Sequence, residues 1–129
     1  GKSTILACCR PTNGKPRLIV STAGLDEVPV SRYGVHWTCW DMGGAGRCRQ
    51  MWPAYFRNSH AIVMVIDASD VSRIGVVRDE MRRVTDHPDV KAACHPILVF
   101  LNKTDLASGA DTQGLTVGHA QTLIGADTL

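Results

Sequence analysis

The chain has 129 residues, of which 44% are apolar and 20% are charged, and its formal net charge is +2. This length and composition fit a single globular domain over residues 1–129 rather than a disordered chain. No apolar run approaches the ~20 residues of a membrane-spanning helix, and so small a charge gives no reason to expect a nucleic-acid partner. The five cysteines and five histidines lack metal-ligand spacing, which favours reduced thiols in the cytosol and no metal site built from them.

The apolar pattern and the turn residues predict alternating helices and strands. In chain order, the predicted elements are a helix at Ser3–Cys9, a loop at Arg10–Arg17, a β-hairpin of Ala23–Ser31 with Val35–Asp41 turning at Tyr33-Gly34, a helix at Cys48–Asn58, a strand at Ala61–Asp67, a helix at Val71–Arg83 ended by Asp86-His87-Pro88, a strand at Pro96–Asn102 and a helix at Thr116–Ile124. The last two strands are nearly continuous apolar runs, which is typical of strands buried on both faces of a parallel sheet. The strand–helix–strand order predicts a three-layer α/β domain.

The first motif is Gly1-Lys2-Ser3-Thr4, immediately before the apolar pair Ile5-Leu6. It matches the last part of a phosphate-binding loop, G-x-x-x-x-G-K-[ST], where the loop runs into its helix. Glycine lets backbone N–H groups approach phosphate oxygens, lysine reaches the β- and γ-phosphates, and the serine hydroxyl binds Mg²⁺. So short a motif also occurs by chance, so an ordinary helix start stays open at this point.

The second motif, Asn102-Lys103-Thr104-Asp105, directly follows a predicted strand. Asp105 in such a position can accept hydrogen bonds from N1–H and the 2-amino group of guanine, which adenine lacks, so the pair selects the base. Asn102 can brace the phosphate loop, and the Lys103 stem can lie over the base. A polar turn with a capping aspartate explains the same residues equally well.

The third motif places Asp41 at the end of a predicted strand, before Met42-Gly43-Gly44. Asp41 would reach Mg²⁺ through water, and the Gly44 N–H would bond the γ-phosphate only when that phosphate is present. A glycine turn after a strand is the ordinary alternative. The order G-K-S, a threonine, D-x-G-G and N-K-x-D is nevertheless the layout of a GTPase. An ATP-using P-loop kinase fits poorly, because N-K-x-D has no role there.

With these motifs the sequence resembles the Arf and Arf-like branch of the small GTPases. The resemblance runs from Val20 to Leu106, with residues 1–9 matching the loop and helix, and rests most on Trp40-Asp41-Met42-Gly43-Gly44, Met51-Trp52-Pro53-Ala54-Tyr55-Phe56 and Val65-Ile66-Asp67-Ala68-Ser69-Asp70. Within the branch it is most similar to the group that recruits the BBSome coat to cilia. The resemblance implies a P-loop GTPase fold, with a mostly parallel sheet and helices on both faces, that binds GTP or GDP and Mg²⁺.

The resemblance also implies roles for single residues. Thr22 matches the switch I threonine that joins Ser3 on Mg²⁺ in the GTP state, and Thr22 and Gly44 would serve the hydrolytic site. The implied nucleotide contacts are Gly1, Lys2, Ser3, Thr4, Asp41, Gly44, Asn102, Lys103 and Asp105. Trp37, Trp40 and Tyr55 match the aromatic cluster through which the branch contacts effectors, although aromatic residues near strands serve a core equally well.

One position departs from the family pattern. Family members have glutamine, which orients the attacking water, where this chain has Ala45. A methyl group can neither donate nor accept a hydrogen bond, and loss of one preorganised polar group typically lowers the rate ~10²–10³-fold. Two functions therefore stay open: a GTP-binding regulatory switch with weak hydrolysis, and a pseudoGTPase that holds GTP or acts independently of nucleotide. Gln50 is the nearest residue that could compensate.

The family pattern includes a first strand before the position of Gly1 and a last strand and helix after Leu129. The 129 residues are therefore expected to be part of a longer GTPase, with a fold incomplete at both ends. The expected partners are effector or coat proteins, exchange and activating factors, and a membrane surface contacted through an N-terminal region outside this sequence. Such a protein is expected in the cytoplasm, peripheral to membranes, at the base of the cilium.

Overall fold

The computed structural model of the protein describes residues 1–9, 22, 24–106 and 116–124. In chain order the elements are α1 (Lys2–Cys9), β1 (Leu25–Arg32), β2 (Val35–Met42), α2 (Gly46–Arg49), α3 (Pro53–Phe56), β3 (Ile62–Asp67), a 3₁₀ turn (Val71–Arg73), α4 (Ile74–Thr85), α5 (Pro88–Ala93), β4 (Ile97–Asn102) and α6 (Val117–Ile124). They form two compact units, residues 1–52 and residues 53–129. The predicted loop at Arg10–Arg17 lies outside the described residues.

The first unit contains α1, α2 and the predicted hairpin. Strands β1 and β2 pair antiparallel from Leu25 opposite Met42 to Arg32 opposite Val35. Tyr33 and Gly34 both have positive φ, 52° and 76°, as a two-residue turn that follows the strand twist requires. The hairpin and its turn are confirmed, and residue 23, the predicted first residue, lies outside the described residues.

The prediction of one helix over Cys48–Asn58 is wrong. The structure has two helices of four residues each, α2 and α3, separated by a turn at residues 50–52. Pro53 has no N–H to continue a helix from the preceding turn, and it restricts the backbone of Trp52. The same residue suits the first position of a helix, so it ends one helical stretch and begins the next.

The second unit contains the predicted strand–helix–strand arrangement. Strands β3 and β4 pair parallel, from Ile62 beside Ile97 to Asp67 beside Asn102. Helix α4 lies between them in the chain and begins after the 3₁₀ turn, so the predicted helix at Val71–Arg83 is confirmed with shifted ends. Pro88 does not only end the preceding helix, because it is also the first residue of α5, which was not predicted.

The core of the second unit lies on one face of the β3–β4 sheet. Ala68 and Ala120 are fully buried there, and Ile74 and Leu101 pack against them. The side chains of Val63, Leu98 and Phe100 project from the other face, where they are exposed. In the part of the chain that the structure describes, this second face of β3 and β4 is therefore exposed at these three positions. A continuous apolar run indicates that both faces of a strand can be buried, but it does not determine which elements pack on those faces.

Two general expectations concern membranes and cysteines. Among the residues that the structure describes, no helix combines the length and apolar character needed to cross a bilayer. All five cysteines fall within the described ranges, and none of them forms a disulfide there. Burial raises the pKa of the Cys39 thiol above its ordinary value of 9.0, with Cys9 adding to the effect, so this thiol stays protonated at neutral pH.

Candidate nucleotide-binding site

Three oxygen-bearing side chains converge in the first unit from distant parts of the chain. Ser3 lies in the first turn of α1, Asp41 lies near the end of β2, and Thr22 lies between these elements in the sequence. The Ser3 and Thr22 hydroxyl oxygens are 3.1 Å apart. Both hydroxyls donate to Oδ2 of Asp41, Thr22 at 3.3 Å and Ser3 at shorter range. The G-K-S, threonine and D-x-G-G motifs therefore meet at one carboxylate.

The Asp41 carboxylate is buried and only half satisfied. Its residue is 4% exposed, and its Oδ1 atom has no hydrogen-bond partner among the described residues. An ionised oxygen in this state is costly unless a cation or a donor compensates it. Hydroxyl and carboxylate oxygens are the ligands that Mg²⁺ prefers, and Mg²⁺ usually retains several waters in protein sites. The residues present thus fit the ion that the motifs imply: Ser3 and Thr22 would hold it, with Asp41 beside them.

The two glycines after Asp41 provide space next to this cluster. A Cβ on Gly43 would lie 2.8 Å from Cys48 Sγ and 3.1 Å from the Thr22 carbonyl oxygen, so only glycine lets these segments approach. The Gly43 N–H also donates to the Gly24 carbonyl at 2.7 Å, which ties β2 to the start of β1. The Thr22 carbonyl oxygen thus lies close to Gly43, directly after β2.

Lys2 and Gly44 are neighbours in the first unit. A Cβ on Gly44 would lie 3.2 Å from Lys2 Nζ, so the ammonium occupies the space beside this bare backbone. Lys2 is also the first residue of α1, and the Ile5 N–H donates to the Gly1 carbonyl as the helix begins. A lysine ammonium, an accessible glycine backbone and a helix N-terminus are the groups that bind phosphate oxygens. Thr4 is exposed in the same turn.

Ala45 stands where the family pattern has glutamine. Its backbone is extended, and its carbonyl accepts from the N–H groups of Cys48 and Arg49 at the start of α2. Arg49 Nε also donates to the Gly44 carbonyl at 2.9 Å, which holds the peptide next to Ala45. The Ala45 side chain brings no polar group to this place, and Gln50 is an exposed residue after α2.

The second unit holds the N-K-x-D motif, which begins at the last residue of β4. Lys103 has φ of 63°, a left-handed conformation that is uncommon outside glycine. Its Nζ donates to Oδ2 of Asp67 at 2.5 Å, and Asp105 is exposed three residues after Asn102. The hydrogen bond from Lys103 lowers the pKa of the Asp67 carboxyl below its ordinary value of 3.8, with Ser69 adding to the effect. Sequence reasoning did not single out Asp67, although both it and Asn102 end apolar strands.

The three aromatic residues of the predicted effector cluster are not on one face of the hairpin. Trp37 and Trp40 are three residues apart on β2, so their side chains project from opposite faces. Trp37 is 42% exposed and Trp40 is half-buried. Tyr55 belongs to α3 in the second unit and is half-buried there. Among the hairpin residues, the structure therefore separates the two tryptophans that the resemblance grouped.

Comparison with known proteins agrees with this arrangement. Residues 1–124 match the ADP-ribosylation factor family. ADP-ribosylation factor-like protein 6 of Danio rerio is 37% identical over 106 residues, which are 82% of this chain and 57% of that protein. ADP-ribosylation factor 3 of Arabidopsis thaliana is 34% identical over 116 residues, which are 90% of this chain and 62% of that protein. The chain thus spans less than two thirds of the length of these relatives.

A solved structure shows the same fold. The Arl6 BBS3 small GTPase from Trypanosoma brucei, with the bound nucleotide analogue GppNp, aligns with a TM-score of 0.86 and 28% sequence identity. The alignment covers 99% of this chain and 72% of that chain. The fold is therefore the α/β fold of the P-loop GTPases, as the motifs predict. The chain belongs to the ADP-ribosylation factor family.

Proposed function

We propose that the protein is a GTP-binding regulatory switch of the Arf-like class. The observation that carries the proposal is the convergence of Ser3, Thr22 and Asp41 around a buried carboxylate oxygen that has no partner among the described residues. A structural polar cluster would satisfy that oxygen internally. A site that binds a hydrated cation leaves it available to the water around Mg²⁺.

The phosphates and the base are bound by different parts of the chain. Lys2 and the backbone of Gly44 bind the β- and γ-phosphates, because the ammonium already lies 3.2 Å from the Cβ position of Gly44. Gly1 and Thr4 flank Lys2 and Ser3 at the start of α1, where backbone N–H groups are free of helical partners. Asn102, Lys103 and Asp105 bind the base, with the exposed Asp105 carboxylate accepting from guanine.

The switching elements are the two segments that meet at Asp41. Thr22 and Gly44 each sense the γ-phosphate, one through Mg²⁺ and the other through its N–H. Gly43 couples them, since its N–H is bonded to Gly24 and its missing side chain leaves room for the Thr22 carbonyl. Loss of the γ-phosphate therefore changes the start of the hairpin and α2 together.

In this proposal each unit contributes effector contacts of its own, from the hairpin in the first unit and from α3 in the second. Trp37, Trp40 and Tyr55 contact effector or coat proteins, and exchange and activating factors act on the same switch. The similarity to ADP-ribosylation factor-like protein 6 of Danio rerio and to the Arl6 BBS3 small GTPase supports a role in recruiting a coat in membrane or ciliary trafficking. The protein then acts in the cytoplasm, peripheral to membranes, at the base of the cilium, and reaches membranes through an N-terminal region outside this sequence.

Equilibrium binding tests the proposal. We expect the protein to bind GTP and GDP in the presence of Mg²⁺ and to bind ATP at least ~10³-fold more weakly, because adenine lacks the two donors that Asp105 accepts. Lys2→Ala is expected to weaken GTP binding by ~10²-fold or more, whereas Lys91→Ala, which removes an exposed lysine of α5, is the matched control. Equal binding of ATP and GTP, or a Lys2→Ala variant that binds GTP like the parent, would contradict it.

A second candidate function is a pseudoGTPase, and Ala45 favours it. The methyl group has no polar atom, while Arg49 holds the adjacent Gly44 carbonyl at 2.9 Å. Such a protein binds GTP, or acts without nucleotide, and recruits its partners without a hydrolytic cycle. Both candidates share the binding residues, so turnover alone separates them.

Single-turnover hydrolysis of GTP is the measurement. We expect Ala45→Gln to raise the rate by ~10²–10³-fold, because a side-chain amide can orient the attacking water. Ala54→Gln, at an exposed position of α3, controls for an added amide. Gln50→Ala shows whether that residue compensates. An unchanged rate in Ala45→Gln together with a slower rate in Gln50→Ala would remove the basis for the pseudoGTPase.

A further inference from the structure

Among the described residues of the second unit, Asp67 links the proposed base-binding motif to the neighbouring strand β3 through an ion pair with Lys103. It is the last residue of β3 and lies beside Asn102, the last residue of β4, in the parallel register. Its Oδ2 accepts from Lys103 Nζ at 2.5 Å. Its Oδ1 accepts from the Ser69 N–H at 3.1 Å and from the Ser69 hydroxyl at 2.6 Å. Both carboxylate oxygens are thus engaged, and the carboxylate itself is fixed.

The contact fixes one end of a flexible side chain. Lysine has four rotatable side-chain bonds, so its stem is ordered only when both ends are held. The backbone end is held in the left-handed conformation directly after β4, and the ammonium is held at the end of β3. The methylene stem between them spans the adjacent ends of two parallel strands. Side-chain exposures of 44% for Lys103 and 35% for Asp67 leave this stem accessible to a ligand.

We propose that Asp67 is a positioning residue for nucleotide binding, which orders Lys103 before the ligand arrives so that the lysine stem forms a preset wall for the purine. The proposal rests on the proposed binding of a guanine nucleotide. The Asp67 carboxylate also neutralises the Lys103 charge, so this lysine acts through its apolar stem while Lys2 supplies charge to the phosphates. Ordering a long side chain in advance removes a cost from binding, which corresponds to about threefold to tenfold in affinity.

The ion pair between Asp70 and Arg73 resembles the Asp67–Lys103 pair but does not involve the N-K-x-D motif, so it serves as a control. Asp70 accepts from the Ser72 hydroxyl at 2.7 Å, two residues on, as Asp67 does from Ser69. Asp70 also pairs with a cation, Arg73, at 2.7 Å, but this cation belongs to the 3₁₀ turn rather than to the N-K-x-D motif. A change at Asp70 therefore removes a comparable ion pair beside a serine hydroxyl without releasing Lys103.

The test is the dissociation rate of fluorescent mant-GDP, chased with unlabelled GDP, from the parent and four variants: Asp67→Asn, Lys103→Met, their combination, and Asp70→Asn. Asparagine keeps an oxygen for Ser69 and removes the ion pair, while methionine keeps most of the stem and removes the ammonium. We expect both single variants to release mant-GDP about threefold to tenfold faster and the combination to be no faster than either. Asp70→Asn is expected to match the parent.

Salt distinguishes positioning from a general loss of structure. Because the pair is partly exposed, about 1 M NaCl screens it and brings the parent rate towards that of Asp67→Asn, so their ratio falls towards one. A loss of structure that does not depend on the ion pair predicts a ratio that does not respond to salt. A rate for Asp67→Asn within twofold of the parent, an equal acceleration in Asp70→Asn, or additive effects in the combination would overturn the proposal. A parent that binds no mant-GDP overturns the proposed function itself, whereas a binding parent with an unchanged variant overturns only the role of Asp67.

Discussion

Two aspartates at the ends of strands differ in how their charge is balanced. Asp41 in β2 is buried, and its Oδ1 has no partner among the described residues. Asp67 in β3 is partly exposed, and Lys103 and Ser69 engage both of its oxygens. A carboxylate of the first kind is suited to a bound cation, whereas one of the second kind is already paired with a cation of the chain. In the proposed function, the first carboxylate belongs to the region that binds the phosphates and Mg²⁺ (the phosphate region), and the second to the region that binds the base (the base region), where an internal ion pair balances its charge.

The largest effect is expected at the base region, from Asp105→Ala. If Asp105 accepts two donors from guanine, its loss removes two charge-assisted hydrogen bonds, each worth about 1.5–3 kcal/mol. The affinity for GDP should fall by about 10²–10⁴-fold, and the affinity for ADP should not fall with it. Equilibrium binding of the two nucleotides measures the ratio, and Asp79→Ala, at an exposed position of α4, is the control. A parallel loss for both nucleotides would show that Asp105 supports the fold rather than the base.

The second prediction distinguishes the roles of Asp41 and Asp67 by the effect of Mg²⁺ on the free energy of unfolding. With GTP bound and Mg²⁺ at about 100 times its dissociation constant, the ion should raise the free energy of unfolding of the parent by about 2.7 kcal/mol. Asp41→Asn should reduce this increment, because the ion loses one of the negative charges that attract it. Asp67→Asn should keep the full increment. Thermal unfolding with Mg²⁺ and with a chelator measures both, and a normal Mg²⁺ increment in Asp41→Asn would contradict the assignment of the ion to this cluster.

The third prediction concerns the glycines that connect the switching segments. Gly43→Ala places a methyl group 2.8 Å from Cys48 Sγ and 3.1 Å from the Thr22 carbonyl, and overpacking of this kind costs about 1–3 kcal/mol of stability. Gly46→Ala meets no atom within 4 Å and should leave stability nearly unchanged. Gly44→Ala meets only the end of the flexible Lys2 side chain among the described atoms, so it should weaken GTP binding more than it lowers the melting temperature. Equal melting temperatures for Gly43→Ala and Gly46→Ala would show that the segments can separate freely.

Local signals in the sequence predicted much of the fold. The Tyr33-Gly34 turn, the strands at residues 62–67 and 97–102, and the helix between them follow from turn chemistry and apolar periodicity, which act over a few residues. The division into α2 and α3 at Pro53 could have been predicted from the same chemistry, since proline disrupts a helix interior but is favoured at the first position of a helix. The exposure of one face of the β3–β4 sheet could not be predicted in this way, because burial of a face depends on which other elements pack against it.

The candidate site divides in the same way. The motifs and the family resemblance together predicted that Ser3, Thr22 and Asp41 belong to one site, and the structure brings them within hydrogen-bond distance across 38 residues of sequence. Their role in binding stays a prediction. The contact between Asp67 and Lys103 joins residues 36 apart and has no motif of its own. It depends on the parallel register that sets Asp67 beside Asn102, and periodicity does not determine register between distant strands.

The smallest expected effect is the contribution of the Asp67–Lys103 ion pair to stability, which depends on pH. The pKa of Asp67 is lowered below 3.8, chiefly by the hydrogen bond from Lys103, so the pair contributes stability above this pH and loses it as the pH falls through the lower folded value. Asp67→Asn should therefore be less stable than the parent by at most about 1 kcal/mol near neutral pH, since partly exposed pairs contribute no more. The difference should shrink below pH 3.8 as the parent carboxylate becomes protonated.

Asp86→Asn removes the exposed pair with Lys91, where no serine holds the carboxylate in the described contacts, and should alter the acid limb of the stability curve less. Melting temperatures between about pH 7 and pH 2.5 measure both curves, and a difference that persists unchanged through the acid limb would mean that Asp67 stabilises the chain through Ser69 alone.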